Sequence, residues 1–290
     1  MTVELICADC LSDDGLPSIP DQSVDAVIAD SPYPHIKRDY GTWTTEQWWA
    51  LIVEGVIPEV RRILKPTGSA VFILQPNSEH VGQMRGWLWE FMAWVCREWN
   101  MVQDAYWWNV TAQPCVYTHR TVGLMRPSVK PCVWCGPADC HRNQDAVLWG
   151  AADWIKTQST TDRALERMPS GYTVRRGRVA ETSLERGGVT PYNMIPVPVS
   201  SNGAGAHGHG AGTPLKLADW WVRYICPPGG TVLDPFDGVG TMMLAALQNG
   251  CHGIGIERDA GYHETAQERI HTAQEEIVQA EFQFAESAAQ

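Results

Sequence analysis

Residues 232–241 of the chain, VLDPFDGVGT, have the composition of a ligand-binding turn. A predicted buried strand ends in Asp234, the chain turns on Gly238 and Gly240, and a helix follows. Glycine lets the backbone approach a ligand closely, and ligands of open parallel sheets bind beyond the carboxyl ends of strands. Glu257 ends the next predicted strand, 23 residues later, near the spacing at which an acid caps ribose hydroxyls. An ordinary strand–turn–helix corner is the competing interpretation, and the position of Glu257 disfavours it.

A second segment, DSPY at residues 30–33, follows the predicted strand at 23–29. A carboxylate, a rigid turn and an aromatic ring suit a flat ring that carries an amine. Such an amine is a poor nucleophile, because its lone pair is delocalised into the ring. Acceptors at Asp30 Oδ and the Ser31 carbonyl would localise that lone pair and offset positive charge in the transition state, and Tyr33 would stack on the ring. A strand-terminal turn with a packed tyrosine stays open as an alternative.

Strand and helix patterns alternate at both ends of the chain, which predicts a mostly parallel α/β sheet with helices on both faces. The predicted strands cover 3–7, 23–29, 69–74, 231–233 and 253–256, and the predicted helices cover 45–64, 79–98, 215–225, 241–248 and 262–279. Thr44 and Gln47 predict a capping box at the first helix. The pattern divides the chain into a first half at 1–110, an irregular insertion at 111–206, a second half at 207–280 and an acidic, fraying tail at 281–290.

Composition excludes several classes of protein. Of the 290 residues, 44% are hydrophobic and 19% are charged, which is typical of a globular protein. The chain lacks an apolar run of the roughly 20 residues that cross a bilayer, and its N-terminus lacks the features of a signal peptide. We therefore expect a cytoplasmic protein with no membrane partner. Nine cysteines, an odd number, argue against a disulfide framework.

The net charge of −11 argues against non-specific binding to nucleic acid, but the middle of the chain is basic. Residues 111–190 contain 11 Lys and Arg residues against 7 Asp and Glu residues. Arginine dominates, and its planar guanidinium suits bidentate contacts to phosphate or guanine edges. The candidate DNA-binding side chains are Arg126, Arg142, Arg175, Arg176 and Arg178. A solvated charged surface is the alternative interpretation.

Two further patterns lie in or next to the basic middle of the chain. Cys132 and Cys135 have the spacing of zinc ligands and Cys140 follows them, but reduced buried thiols are favoured, so we assign no metal site. Trp107 or Trp108, at the end of a predicted strand, is a candidate for the wall of a pocket that holds a target base.

Taken together, these motifs resemble the β class of amino-group DNA methyltransferases. That family carries a (D/N/S)PP(Y/F/W) tetrapeptide in its first half and a DPFxGSGTT loop in its second, with the recognition region between them, and this circularly permuted order matches the chain. Shorter segments also resemble family motifs: ADCL at 8–11, SVD at 23–25, LKPTG at 64–68 and HGAGTP at 209–214. The resemblance implies a Rossmann-like sheet that binds S-adenosylmethionine (SAM), double-stranded DNA as partner, a homodimer and a restriction–modification context.

The resemblance also implies a role for each matching residue. Asp30, Ser31, Pro32 and Tyr33 would be catalytic, and the target base would leave the duplex stack to reach them. The implied cofactor-binding residues are Asp9 at the adenine, Glu257 at the ribose, Asp234 at the methionine ammonium, Phe236, Gly238, Gly240 and Thr241 around the pocket, and His209 on the methionine side. The chain departs from the family pattern at Ser31, where the family has proline, and at Val239 and Met242, where it favours serine and threonine.

Asp30 favours adenine N6 as the target, since serine is commoner at this position in the cytosine N4 enzymes of the family; cytosine N4 is the alternative. Methylation of RNA or of a protein glutamine is a second alternative, which the permuted order and the basic insertion disfavour. A catalytically silent cofactor-binding or DNA-binding module is a third, supported only by Ser31.

Overall fold

The computed structural model describes residues 1–37, 41–111, 124–150, 166–167, 173–174, 183, 185–199 and 212–288, and of these it describes only the backbone at 166–167, 173–174 and 281–288. Its strands are β1 Val3–Cys7, β2 Val24–Ala29, β3 Leu64–Ile73, β4 Ser78–His80, β5 Gln83–Met84, β6 Met101–Trp108, β7 Val129–Cys135, β8 Glu166–Arg167, β9 Thr173–Val174, β10 Met194–Pro196, β11 Thr231–Asp234 and β12 His252–Glu257. Its α-helices are α1 Thr45–Trp49, α2 Ile57–Ile63, α3 Trp87–Glu98, α4 Leu215–Ile225, α5 Thr241–Gln248 and α6 Ala260–Ala288.

Eight strands form the central sheet, in the order β1-β12-β11-β2-β3-β7-β6-β10. The first five strands of this order are parallel, β7 is antiparallel to both of its neighbours, and β10 is parallel to β6. The α/β prediction is therefore confirmed. Strands from the two ends of the chain meet at β11 and β2, where Val232 pairs with Ala26 and Leu233 with Val27. The carboxyl ends of these two strands consequently lie side by side.

Both faces of β2 are buried, because helices cover the sheet on each side. Val27 and Ala29 belong to a core that includes Trp48 and Phe91 from the helices on one face. Ala26 and Ile28 belong to a second core that contains Trp221 of α4. This double burial fixes the strand whose end carries the DSPY segment.

Two sequence motifs hold the sheet together below the site. Asp25, in the SVD segment, forms an ion pair with Lys65 of the LKPTG segment at 2.7 Å and accepts a hydrogen bond from the Thr231 N–H at 2.8 Å. Val24 pairs with Leu64 but Ala26 pairs with Ser69, so residues 65–68 bulge out of the ladder between β2 and β3. These contacts tie β2 to β3 and β11, and they show that both motifs have a structural role.

The first predicted helix, at 45–64, is present but contains a π-helical segment, Ala50–Val56, between α1 and α2. Its capping box is confirmed: Thr44 Oγ1 accepts from the Gln47 N–H at 3.2 Å, and Gln47 Oε1 accepts from the Thr44 N–H at 2.9 Å.

The helix predicted at 79–98 is wrong in its first turns. Residues 78–84 instead form the β4–β5 hairpin, and α3 begins at Trp87. Gly82 has a φ of +81°, which suits a hairpin turn but not a helix. Val81 and Met84, predicted on the apolar helix face, are 70% and 51% exposed. At the other end of the chain α6 continues to Ala288, beyond the predicted helix end at residue 279, and the fraying of the tail stays a prediction.

Two strands from the segment predicted as an insertion, β7 and β10, belong to the central sheet. The chain divides into two compact units, one of Met1–Arg142 with Asn193–Gln290 and the other of Asn143–Tyr192. In the smaller unit, the Arg186 guanidinium contacts Asp145 and Gln144, Trp149 forms a bridge with Val189, and β8 pairs with β9. Within the described part of the chain, no helix has the length and apolarity to cross a bilayer.

Candidate active site at the carboxyl edge of the sheet

A cavity of about 590 Å³ lies at the carboxyl ends of β1, β12, β11 and β2. Its walls bring together the DSPY segment, the glycine loop after β11, the end of β1 and the residue that precedes Pro214. The segments that line it are 8–10, 30–33, 212–213, 234–239 and 256–259, with Trp43, Leu51, Thr241, Met242 and Tyr262. Two predicted motifs some 200 residues apart in sequence therefore line the same cavity.

Both carboxylate oxygens of Asp30 are held by hydroxyl groups. Thr213 Oγ1 donates to Asp30 Oδ2 at 2.8 Å, and the Tyr33 hydroxyl donates to Asp30 Oδ1 at 3.4 Å. Each oxygen keeps a second lone pair for another donor. Tyr33 is only 4% exposed and still lines the cavity. Ser31 is buried, and its hydroxyl has no hydrogen-bond partner among the described residues.

The backbone beyond Ser31 is held by side-chain donors. Trp48 Nε1 donates to the Pro32 carbonyl at 2.7 Å, and Asn77 Nδ2 donates to the Pro34 carbonyl at 2.7 Å. Asn77 is itself oriented by the Trp87 indole, which donates to its Oδ1 at 3.3 Å. Because α1, α3 and the segment after β3 supply these donors, the carboxylate of Asp30 projects from a fixed turn.

Lys130 of β7 brings a positive charge to the same turn. Its Nζ donates to the Tyr33 hydroxyl at 3.1 Å and lies 5.5 Å from the centre of the Tyr33 ring and 4.9 Å from that of Trp107. Trp107 is buried and donates its indole N–H to the Val197 carbonyl, whereas Trp108 is 42% exposed. Trp107 therefore supports Lys130, and the base-wall role considered for Trp108 stays a prediction.

Backbone geometry shapes the loop after β11. Gly238 and Gly240 have φ values of +57° and +79°, in the region that favours glycine. A Cβ on Gly240 would lie 3.0 Å from the Cβ of Ala266 in α6, so the loop packs directly on that helix. The Arg269 guanidinium, also on α6, donates to the Val239 carbonyl and to Thr241 Oγ1.

Buried acids surround the same loop. Asp234 is 3% exposed and accepts the Phe236 N–H at 2.9 Å. Burial, with the neighbouring charge of Asp237, raises the pKa of Asp234 well above its usual range. Glu257 accepts the N–H groups of Gly238 at 2.9 Å and Asp259 at 2.7 Å, which joins the end of β12 to the loop. Carboxyl groups this close together suit a cationic ligand, because a positive charge favours their ionised forms.

Asp9 lies at the cavity edge after β1, is exposed, and accepts the Leu11 N–H at 3.0 Å through Oδ1. Asp30, Ser31, Pro32, Tyr33, Asp234, Phe236, Gly238, Thr241 and Glu257 also line the cavity. The predicted residues His209, Arg175, Arg176 and Arg178 lie outside the described residues. Arg126 and Arg142 are exposed, and Arg142 donates to the Ala138 carbonyl at 3.0 Å.

The cysteines considered as zinc ligands do not converge. Cys135 belongs to the core on one face of the sheet, and Cys132 and Cys140 belong to the core on the other. Burial raises the pKa of the Cys132 thiol to about 12, which disfavours the thiolate that zinc requires. In the part of the chain that the structure describes, no group of three His, Cys, Asp or Glu residues is placed to hold a metal ion.

Sequence reasoning missed Thr213, Asn77, Asp237 and the contact that Lys130 makes. Thr213 lies in the HGAGTP segment, but nothing in that segment specifies a contact with a carboxylate 183 positions away. Lys130 was one of several basic residues in the middle of the chain, and only the antiparallel position of β7 brings it to the end of β2.

Comparison with known proteins agrees with this geometry. Residues 24–268 match the N6/N4 methyltransferase family model, described as DNA methylase. The chain belongs to the DNA methylase family. A curated relative, the putative methylase YubD of Escherichia coli K12, is 44% identical over 52 residues, which is 18% of this chain and 23% of that relative.

Solved DNA methylases share the fold of this family member over nearly its whole length. The PvuII cytosine-N4-specific DNA methyltransferase is 18% identical, with a TM-score of 0.66 over 96% of this chain and 93% of that chain. TTHA0409, a putative DNA modification methylase of Thermus thermophilus, is 20% identical, with a TM-score of 0.58 over 94% and 95%. The M1.HpyAVI–SAM complex is 17% identical, with a TM-score of 0.56 over 93% and 99%.

Proposed function

We propose that this DNA methylase transfers a methyl group from SAM to the exocyclic amine of a flipped base in double-stranded DNA, and that the base is adenine, methylated at N6. The observation that carries the proposal is the shared cavity, in which the Asp30 carboxylate faces the same space as the acidic glycine loop after β11. An acceptor for an amine and a site for a cation are thereby adjacent.

The cavity residues fit SAM. A cationic ligand suits the buried carboxyl groups of Asp234 and Asp237, and the positive φ of Gly238, which lines the cavity, lets the loop backbone approach it closely. Asp234 would hold the ammonium, Glu257 the ribose and Asp9 the adenine. When bound, SAM supplies an activated methyl group on its sulfonium. TTHA0409 and M1.HpyAVI, which share the fold, have been solved as complexes with it.

The residues of the DSPY turn prepare the amine. The free lone pairs of Asp30 accept an amine N–H, which localises the nitrogen lone pair, and the Ser31 carbonyl accepts the second N–H. As the C–N bond forms and the C–S bond breaks, the nitrogen becomes positively charged, and Asp30 offsets that charge and takes the proton. Thr213 and Tyr33 keep the carboxylate aimed during this change, since each binds one of its oxygens. Tyr33 packs on the base.

Mass spectrometry distinguishes the two DNA bases. Genomic DNA from cells that express the protein is digested to nucleosides, with DNA from cells expressing Asp30→Ala as control. We expect N6-methyladenine from the unaltered protein alone. N4-methylcytosine without N6-methyladenine would overturn the choice of base and leave the DNA methylase assignment intact.

Labelled methyl transfer tests the substrate class. We expect label from SAM in duplex DNA and none in RNA of the same sequence or in a glutamine-containing peptide. Label in RNA or peptide, with none in DNA, would overturn the proposal.

We propose that residues 111–206, which include the basic middle of the chain, contribute to target recognition. Arg126, Arg142, Arg175, Arg176 and Arg178 would contact phosphate, so charge-neutral variants would weaken binding to all DNA sequences alike and reduce its salt dependence. The homodimer that the resemblance implies stays a prediction, which light scattering would test. A DNA substrate and reduced cysteines are consistent with a cytoplasmic protein.

A further inference from the structure

Asp237, in the middle of the glycine loop, carries a buried carboxyl group to which no described residue donates a hydrogen bond. The residue is 6% exposed and lines the cavity, and neither side-chain oxygen has a hydrogen-bond partner within the described part of the chain. A buried polar group without a partner is costly and rarely persists without a role. The loop fixes its position, because the Asp237 N–H donates to the Ile256 carbonyl and its carbonyl accepts the Gly240 N–H, both at 3.0 Å.

The neighbouring strand leaves space for this carboxyl group. A Cβ built on Gly255 of β12 would collide with Asp237 Oδ2, and it would also press on the Leu5 side chain of β1. Any side chain at position 255 would therefore displace the carboxyl group. The space beneath the loop therefore holds the Asp237 carboxyl group only because position 255 of β12 is glycine.

Charges from each neighbouring element face Asp237. Glu257 at the end of β12 and Asp234 at the end of β11 are acids, and Arg269 of α6 is positively charged. The Arg269 guanidinium is committed to the Val239 carbonyl and Thr241, and in the described structure it donates no hydrogen bond to the Asp237 carboxyl group. Burial and Glu257 raise the pKa of Asp237 to about 8, and Arg269 opposes the rise.

We propose that Asp237 senses the charge of the cofactor: it holds a proton while the cavity lacks a cation and releases it to solvent when the positively charged sulfonium form binds. The exchange balances, because one carboxylic proton passes to the buffer as one cation enters. By linkage, the site then prefers the sulfonium cofactor over its neutral thioether product, S-adenosylhomocysteine. This inference rests on the SAM binding of the proposed function.

Titration calorimetry measures the released proton directly. The unaltered protein and Asp237→Asn are titrated at pH 7 in two buffers of different ionisation enthalpy, because the difference in heat counts the protons released. The ligands are SAM, sinefungin, which carries a charged amine in place of the sulfonium, and S-adenosylhomocysteine. Asp139→Asn, at an exposed acid, is the matched control.

We expect SAM and sinefungin to release more protons than S-adenosylhomocysteine from the unaltered protein and from Asp139→Asn. In Asp237→Asn that excess disappears, and the preference for SAM over S-adenosylhomocysteine falls about tenfold, the equivalent of one unit in pKa. The preference of the unaltered protein should also rise between pH 6 and pH 8.

Equal proton release for charged and neutral ligands, or an excess that persists in Asp237→Asn, would overturn the inference while the methylase function stands. An unaltered protein that does not bind SAM at all would overturn the proposed function and this inference with it.

Discussion

The two halves of the cavity are held in different ways. At the DSPY turn, side chains supply the contacts: Thr213 and Tyr33 bind the Asp30 carboxylate, and Trp48 binds the Pro32 carbonyl. At the glycine loop, the backbone supplies them, through left-handed glycines and N–H groups, and the Asp237 carboxyl group stays unpaired within the described residues. The DSPY half is thus organised in advance by side-chain contacts, whereas the proposed role of Asp237 requires the glycine-loop half to complete its electrostatics only when a cation binds.

Loss of the Asp30 carboxylate should have the largest effect on catalysis. We expect Asp30→Ala to lower the methyl-transfer rate by about 10²–10³-fold or more, because no acceptor then offsets the charge on the amine. SAM affinity, measured by calorimetry, should change little, since the glycine loop is untouched. An unchanged transfer rate would contradict the separate roles assigned to the DSPY turn and the glycine loop.

Gly240→Ala tests the backbone half. The substitution places a Cβ in left-handed backbone and against Ala266, so we expect about 2–3 kcal/mol less stability in urea unfolding and weaker SAM binding. Gly229→Ala is the matched control, because Gly229 has a φ of +72° but open space around its Cβ position. Gly229→Ala should lower the free energy of unfolding by about 1 kcal/mol through backbone strain alone, and SAM affinity should not change. Equal effects of the two variants would contradict the close packing of the loop on α6.

Asp237→Asn tests whether the buried carboxyl group in the glycine loop lowers the free energy of unfolding. The pKa of this buried acid is about 8 in the folded protein, against 3.8 for the free side chain. Between these values folding takes up a proton, so stability falls as the pH rises from about 4 to about 8. We expect Asp237→Asn to remove this loss, so that its gain in stability over the unaltered protein is close to zero near pH 4 and grows steadily as the pH rises toward 8. Parallel stability profiles for the variant and the unaltered protein would contradict the assignment.

Thr213→Val should have the smallest effect. It removes one neutral donor from a charged acceptor, so we expect a roughly tenfold lower transfer rate with unchanged SAM affinity. Thr213→Ser keeps the hydroxyl and should restore most of the rate. If serine and valine behaved alike, packing rather than the hydrogen bond to Asp30 would explain the effect.

Local patterns predicted the parts of this fold that depend on burial and turn chemistry. Buried apolar runs predicted β2 and β11, and the residues that end them, Asp30 and Asp234, reach one cavity. The apolar spacing after residue 79 failed as a helix predictor, because Val81 and Met84 lie on an exposed hairpin around Gly82. Periodicity alone does not distinguish such a hairpin from the first turns of a helix.

The sequence patterns did not predict contacts between segments that are far apart in the chain. The positions of Thr213 at Asp30 and of Lys130 at Tyr33 follow from the strand order, in which the chain brings β11 beside β2 and folds β7 back against β3. The space that the Asp237 carboxyl group occupies depends on Gly255 of another strand. Such features depend on tertiary packing, and no local spacing encodes them.

The central claim is that Asp30 and the glycine loop act on one cofactor in one cavity. A crystal structure of the protein with sinefungin tests it most directly. We predict that the ligand lies along residues 234–240 with its charged centre facing the Asp30 carboxylate. A ligand bound elsewhere, or one whose charged centre faces away from Asp30, would contradict the account.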